Sequence, residues 1–222
     1  MMRWLVNHIV KIITQILLKL DSSELNKFPD QGPLLAVVNH INFLDAPVII
    51  SRLHPRPTTG LVKKETWDNP IMAFLFNVWD GIPIDRNAAD FTAFKLAKKA
   101  LEEKKILAVA PEGTRTEDGV LIRAKPGIGF LVTQCDAPLV PIAHWGHENF
   151  VSNIKRLKRS PMHIRVGRPF KINLDGATKN KETMQAIADA IMMEIAKLMP
   201  EQYQGVYSKG AFEYEKFISY LD

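Results

Sequence analysis

The chain has 222 residues, enough for one large α/β domain or one domain with a helical appendage. Its 46% hydrophobic and 24% charged residues exclude a disordered or fibrous chain, and the single cysteine, Cys135, excludes an internal disulfide framework and fits a reducing compartment. A net charge of +5 points to an anionic partner: a nucleic acid, an anionic membrane surface or a phosphorylated substrate.

Residues 2–20 have helical period. On a wheel of about 100° per residue, Arg3, Asn7, His8, Lys11, Thr14, Gln15 and Lys19 gather on one side. Leu5, Val6, Ile9, Val10, Ile12, Ile13, Ile16, Leu17 and Leu20 fill the other. Two dockings fit this pattern: the apolar face packs on the domain core, or it enters a bilayer in the plane of the interface. The polar face has no acidic residue before Asp21, which favours the membrane. No run of about 18 uncharged apolar residues occurs, so a simple spanning helix is not expected. No small-residue site follows the apolar stretch, so a cleaved signal peptide is not expected either.

Gly32 and Pro33 punctuate before Leu34–Val38, an apolar run that reads as a buried strand and ends in Asn-His. Residues 46–53 suit a buried helix, 59–63 a short strand, and 64–79 a helix broken near Pro70. The second half of that helix is apolar almost all round and so is buried or faces lipid. Gly81–Asp85 reads as a strand running into Arg86, and 88–105 as an amphipathic helix. Residues 106–110 read as a second buried strand, ending in Pro-Glu-Gly-Thr-Arg (111–115). Residues 126–134 predict a helix, 138–143 a third buried strand, 163–172 an alternating strand and 181–199 a helix, before an aromatic tail. This alternation predicts an α/β fold with one core: a single domain whose central sheet is largely parallel or mixed, flanked by helices, plus the N-terminal amphipathic helix.

Asp45 lies five residues after His40, a spacing that on a continuous helix would put them on different faces. They meet only if the segment turns, as at a strand-to-helix junction. There Asp45 would fix the tautomer of His40 and stabilise the charge it acquires as a base. No serine or cysteine stands in a nucleophile-elbow setting, so the nucleophile would be a substrate hydroxyl. Arg86 after one strand, and Glu112, Gly113, Thr114 and Arg115 after another, suit a phosphate monoester at the carboxyl ends of an α/β sheet.

These blocks resemble the glycerolipid acyltransferase family, most closely the 1-acylglycerol-3-phosphate (lysophosphatidic acid) acyltransferases. The likeness rests on Asn-His-X4-Asp (NHINFLD), a Gly-rich segment ending in Arg (GIPIDR), Glu-Gly-Thr-Arg (PEGTR) and an apolar segment around Pro141 (PLVPIA), in the family's order. It implies His40 as general base and Asp45 as its partner. Arg86, Glu112, Gly113, Thr114 and Arg115 would hold the acceptor's glycerol phosphate, and Pro141 would shape the acyl pocket. With the wheel reading of the N-terminus, this divides the chain into an amphipathic membrane-associating helix over 1–22 and an acyltransferase domain over 23–222. The donor would be acyl-CoA or acyl-carrier protein, the acceptor lysophosphatidic acid, and the product phosphatidic acid. No cofactor, metal or nucleic acid is expected, and His54, His144, His147 and His163 read as core or surface residues, with His144 nearest the fourth block. The expected location is peripheral or monotopic on the cytoplasmic face of a membrane. Three alternatives remain open: another lysophospholipid or polar-lipid acceptor, thioester hydrolysis with water as acceptor, and a non-catalytic lipid- or nucleic-acid-binding module.

Overall fold

A computed structural model describes residues 1–86, 90–174, 176–208, 212 and 215–221. In chain order, α1 (Met2–Leu17) leads into β1 (Leu18–Asp21), and a 3-10 turn precedes β2 (Leu34–Val38) and α2 (Asp45–Leu53). Then come β3 (Thr58–Lys63), α3 (Pro70–Val78), β4 (Ile82–Ile84), α4 (Phe91–Glu102) and β5 (Ile106–Val109). The rest is α5 (Gly127–Val132), β6 (Leu139–Trp145), α6 (Phe150–Lys155), β7 (Ser160–Val166), β8 (Phe170–Ile172), α7 (Lys181–Ala196) and β9 (Ile218–Tyr220).

The strands form one mixed sheet in the order β1-β7-β6-β2-β5-β3-β4, with β8 and β9 beside β6. β2 is central, parallel to both β5 and β6, and all five of its residues are buried. A strand covered on both faces needs no polar alternation, which is why Leu34–Val38 reads as a continuous apolar run. Successive side chains serve opposite faces. Leu35 and Val37 pack with Leu139, Ala143 and α7, whereas Leu34, Ala36 and Val38 pack with Val140, Ile142 and α2.

The structure departs from the sequence reading in three places. First, the N-terminal helix ends at Leu17, and Leu18–Asp21 pairs in parallel with Ser160–His163. Leu-Lys-Leu fits a helix and an edge strand equally well, and the fully buried Leu18 decides for the strand. The sheet therefore begins inside the span 1–22 assigned to the appendage. Second, the alternation over 163–172 is two strands, because Gly167-Arg168-Pro169 interrupts it and Pro169 has no N–H for a ladder. Third, α4 begins at Phe91; the expected start near residue 88 lies outside the described residues.

α1 docks by a mixed edge of the helix and leaves most of its apolar face uncovered. Val6, Asn7, Val10 and Thr14 face α2 and α3, while Met2, Leu5, Ile9, Ile12, Ile13 and Ile16 are exposed. Val6 and Val10 pack with Ile50, Leu75, Phe76 and Trp79, and polar side chains fix the docking. Asn7 Oδ1 accepts from Trp79 Nε1 at 2.8 Å, Thr14 Oγ1 accepts from Arg52 at 2.9 Å, and Arg3 donates to the carbonyl of Thr58. Ile71 and Phe74 of α3 extend the exposed apolar surface. No described helix is long and apolar enough to cross a membrane.

Candidate active site

β2 delivers the chain to Asn39, whose side chain clasps the neighbouring strand. Asn39 Nδ2 donates to the carbonyl of His144, Asn39 Oδ1 accepts from the His144 amide, each at 2.9 Å, and His144 Nε2 donates to the Asn39 carbonyl at 2.8 Å. The chain then turns and enters α2 at Asp45. That turn brings the pair five residues apart into contact: His40 Nδ1 donates to Asp45 Oδ2 at 2.7 Å. The bond protonates Nδ1 and leaves Nε2 as the basic nitrogen.

Asp45 is held from every side. Oδ2 also accepts the amides of Ile41 and Asn42 at 2.7 and 2.9 Å, and Oδ1 accepts from His147 Nε2 at 2.7 Å. Burial alone would raise this carboxyl. His144 nearby and the hydrogen bonds from His147 and His40 outweigh burial and hold it well below the usual carboxylate range. His144 and His147 are fully buried. Burial pushes His144 down to about 4, so it is neutral and its Nε2–H is committed to Asn39. The sequence reading placed both among incidental core or surface histidines. The strand clasp and the fold between β6 and α6 make them part of the surroundings of the His40–Asp45 pair, and no spacing rule spans the 102 positions that separate Asp45 and His147.

Asp45, His144 and His147 bring potential metal ligands close together. Both Nε2 atoms and both Asp45 oxygens are already used in hydrogen bonds, while the two Nδ1 atoms are buried without a partner. The 2.7 Å between His147 Nε2 and Asp45 Oδ1 is shorter than the about 3.3 Å that separates two ligands on tetrahedral zinc. The set fits a proton-linked network better than a cation.

The loop after β5 splits into two roles. Glu112, expected at the phosphate, is 1% exposed and turned inward. Its Oε2 accepts from the His40 amide at 2.8 Å and its Oε1 from the Ile122 amide at 3.2 Å, so it braces the His40 loop. Burial pushes the Glu112 carboxyl up to about 7 against these two donors. Thr116 donates its amide to the His40 carbonyl at 3.0 Å, so both backbone groups of His40 are held. Gly113 has φ +68, and a Cβ there would meet the Lys125 side chain at 2.9 Å. Its carbonyl accepts from Arg86 Nη1 at 2.8 Å, which holds that guanidinium beside the motif. Burial, then the charge of Arg115, lower the Arg86 guanidinium, which places the two cations together.

A cavity of about 890 Å³ opens at His40, within the range of a small-molecule site. Val38, Ile49, Ile50, Val62, Met72 and Phe76 give it apolar lining; Lys63, Arg86, Thr114 and Arg115 give it hydroxyl and cationic lining, with Glu65 near Arg86. It lies past the carboxyl ends of the parallel strands. His40, Asp45, Arg86, Thr114 and Arg115 all line it. Gly113 reaches it only through its carbonyl. Pro141 does not line it: alternation along β6 turns Pro141, like Leu139 and Ala143, to the α7 face, under Gly167.

The α/β sheet thus presents a carboxylate-oriented imidazole on a cavity with both apolar and cationic lining. The chain belongs to the acyltransferase family, whose sequence model matches residues 19–145. It is 33% identical to a 1-acyl-sn-glycerol-3-phosphate acyltransferase of Limnanthes douglasii over 149 residues, 65% of this chain and 52% of the plant protein. It is 26% identical to the same-named protein of Bacillus subtilis (strain 168) over 169 residues, 76% of this chain and 82% of that one. The chain thus spans about half the length of the plant relative. The crystal structure of the 1-acyl-sn-glycerophosphate (LPA) acyltransferase of Thermotoga maritima matches in fold with a TM-score of 0.63, at 18% identity over 87% of this chain and 76% of that chain.

Proposed function

We propose that the protein transfers a fatty acyl group from an acyl thioester, acyl-CoA or acyl-carrier protein, to the free hydroxyl of lysophosphatidic acid, forming phosphatidic acid. The observation that carries this reading is the 2.7 Å His40–Asp45 bond on a cavity with both apolar and cationic lining. The acceptor's phosphate lies against Arg86, Thr114 and Arg115, and acyl chain occupies the apolar lining. His40 Nε2 takes the hydroxyl proton as the oxygen attacks the thioester carbon. The C–S bond then breaks, and the imidazolium returns the proton to the leaving thiolate. Asp45 stabilises the transient imidazolium, and no acyl-enzyme forms. The reaction as written consumes no cofactor.

The exposed apolar ridge of α1, with Ile71 and Phe74, supports a peripheral or monotopic placement on the cytoplasmic face of a membrane. The reaction itself is tested by thiol release with a panel of lysolipid acceptors and both donor types. Release that requires lysophosphatidic acid is the expected result, and release without any acceptor would make the protein a thioester hydrolase. In the same assay Arg115→Ala raises KM for lysophosphatidic acid about tenfold, with little change for a phosphate-free acceptor. An equal rise for both acceptors removes Arg115 from the phosphate site.

A further inference from the structure

Lys11 of α1 lies on the side of the helix that meets α2. A second cavity of about 510 Å³ opens there, formed by α1, α2 and the turn after β1. Lys11, Gln15, Ser22, Asn26 and Arg52 line it, and it shares no residue with the cavity at His40.

Arg52 is unlike the other partly buried arginines. Arg3 faces Asp80, Arg165 faces Asp21, Arg86 has the Gly113 carbonyl, and Arg56 has the carbonyls of Pro29 and Gly32 with Asp30 nearby. Arg52 has only hydroxyls, Thr14 Oγ1 at 2.9 Å and Ser51 Oγ at 3.5 Å. Burial lowers its guanidinium to about 10, and no carboxylate counters that. Lys11 is lowered too, by burial and then by Arg52. Among the described residues, neither cation has an acidic partner within salt-bridge distance. A desolvated cation pair without an anion is expensive unless something from outside supplies the charge.

The rim says what that is. Ile12 and Ile16 line the same cavity while 60% and 64% exposed in the apolar ridge of α1. A ligand that fits must carry its anion directly beside hydrocarbon. We infer that the Lys11–Arg52 cavity is a headgroup site for an anionic membrane phospholipid, separate from the catalytic cavity, that fixes how the enzyme sits on the bilayer. This rests on the reading that the ridge of α1 lies in a membrane. A soluble anion would satisfy the two cations but not the hydrocarbon edge, and an acidic carrier protein would leave Ile12 and Ile16 uncovered.

The test measures sedimentation of the full chain with phosphatidylcholine vesicles, with and without phosphatidylglycerol. Phosphatidylglycerol should tighten binding of the unaltered protein, and Lys11→Gln with Arg52→Gln should remove about 10- to 30-fold of that gain. Binding to pure phosphatidylcholine vesicles and turnover on micellar lysolipid should be unchanged. Lys11→Gln alone, which leaves the Arg52–Thr14 bond, should remove a several-fold part and stands in if the double variant does not fold. Lys98→Gln with Lys99→Gln, on α4, removes the same formal charge elsewhere and should matter little. Equal losses in the two pairs would reduce the effect to net charge and overturn the site. So would suppression of the phosphatidylglycerol gain by inorganic phosphate but not by chloride at equal ionic strength, or binding of acidic carrier protein lost in the same variants with vesicle binding intact. Absence of binding to either vesicle would overturn the site together with the membrane placement, while micellar turnover would still report on the acyltransferase reading.

Discussion

A buried and a partly buried charge sit at opposite ends of α2 and are treated in opposite ways. Asp45, at its first turn, is an anion with five close N–H or imidazole neighbours, four of them hydrogen-bonded at 2.7 to 2.9 Å. Arg52, in its last turn, is a cation with two hydroxyls and no acid. Saturation fixes geometry: Asp45 cannot rotate without breaking several bonds, so His40 is held in one tautomer. Lack of saturation leaves a charge to be completed from outside. The proposed reaction uses the first end of the helix, and the proposed headgroup the other.

The contrast breaks most visibly at His40. His40→Ala should lower kcat by about 10²- to 10⁴-fold, the usual contribution of a positioned base, while lysolipid binding stays near its original value. Turnover within a few-fold of the original enzyme would remove His40 from the reaction. The next largest effect belongs to His147, which among the described residues supplies the only hydrogen bond to Asp45 Oδ1. His147→Leu should lower kcat about 10- to 100-fold, the value of a buried hydrogen bond to a charge. With less of the Asp45 charge dispersed, the His40 imidazolium is stabilised, so the acidic limb of the kcat/KM profile moves to higher pH. His147→Gln, which keeps an amide N–H for Asp45, should restore much of both. A loss of rate with an unmoved profile in His147→Leu would mean that the residue only packs.

How much of this shows in the sequence follows the same division. The apolar runs that become β2 and β5 are legible because both faces of a central parallel strand are buried. The His40–Asp45 contact is legible because a strand-to-helix turn makes a five-residue spacing work. Glu112 and Pro141 were legible as a motif but not in their direction: one turns inward to two amides, and the other falls on the wrong face of β6 for the cavity. The helical wheel of α1 shows that two faces differ, not which one docks. That is decided by Trp79 Nε1 and Arg52, 72 and 38 residues away from the side chains they bond, each needing a polar partner. The three-residue strands β8 and β9 carry too little pattern to stand out in a Pro-flanked segment and an aromatic tail.

At the unsaturated end, the exposed ridge separates apolar from ionic binding. Ile9→Glu with Ile13→Glu places two carboxylates where the bilayer should be, without touching the docked face of α1. Partitioning into neutral vesicles should fall about tenfold or more, with thermal stability unchanged. Deleting α1 is a poor substitute, because it would bare Trp79 and leave Arg52 without Thr14. Unchanged vesicle binding by the double variant would put the membrane contact elsewhere, with Ile71 and Phe74 of α3 as the next surface to alter.

The smallest effect lies inside the saturated cluster, where two groups titrate against each other. Glu112 has a folded pKa pushed up to about 7 from an ordinary 4.5. Between those values the native state holds a proton the unfolded chain has lost, so Glu112 makes stability fall as pH rises. His144 is pushed down to about 4 from 6.5, so over that span the unfolded chain holds the extra proton and stability rises with pH. Each slope is about 1.4 kcal/mol per pH unit, and where the windows overlap they oppose each other. Asp45, held below the usual carboxylate range, loses its contribution only at more acidic pH. Glu112→Gln removes one of the two opposed groups. Its urea-unfolding stability should climb with pH between about 4.5 and 6.5 more steeply than that of the unaltered chain, whatever the surface histidines add to both. Parallel profiles would show that the Glu112 carboxyl is ionised throughout this window, with the amides of His40 and Ile122 outweighing its burial.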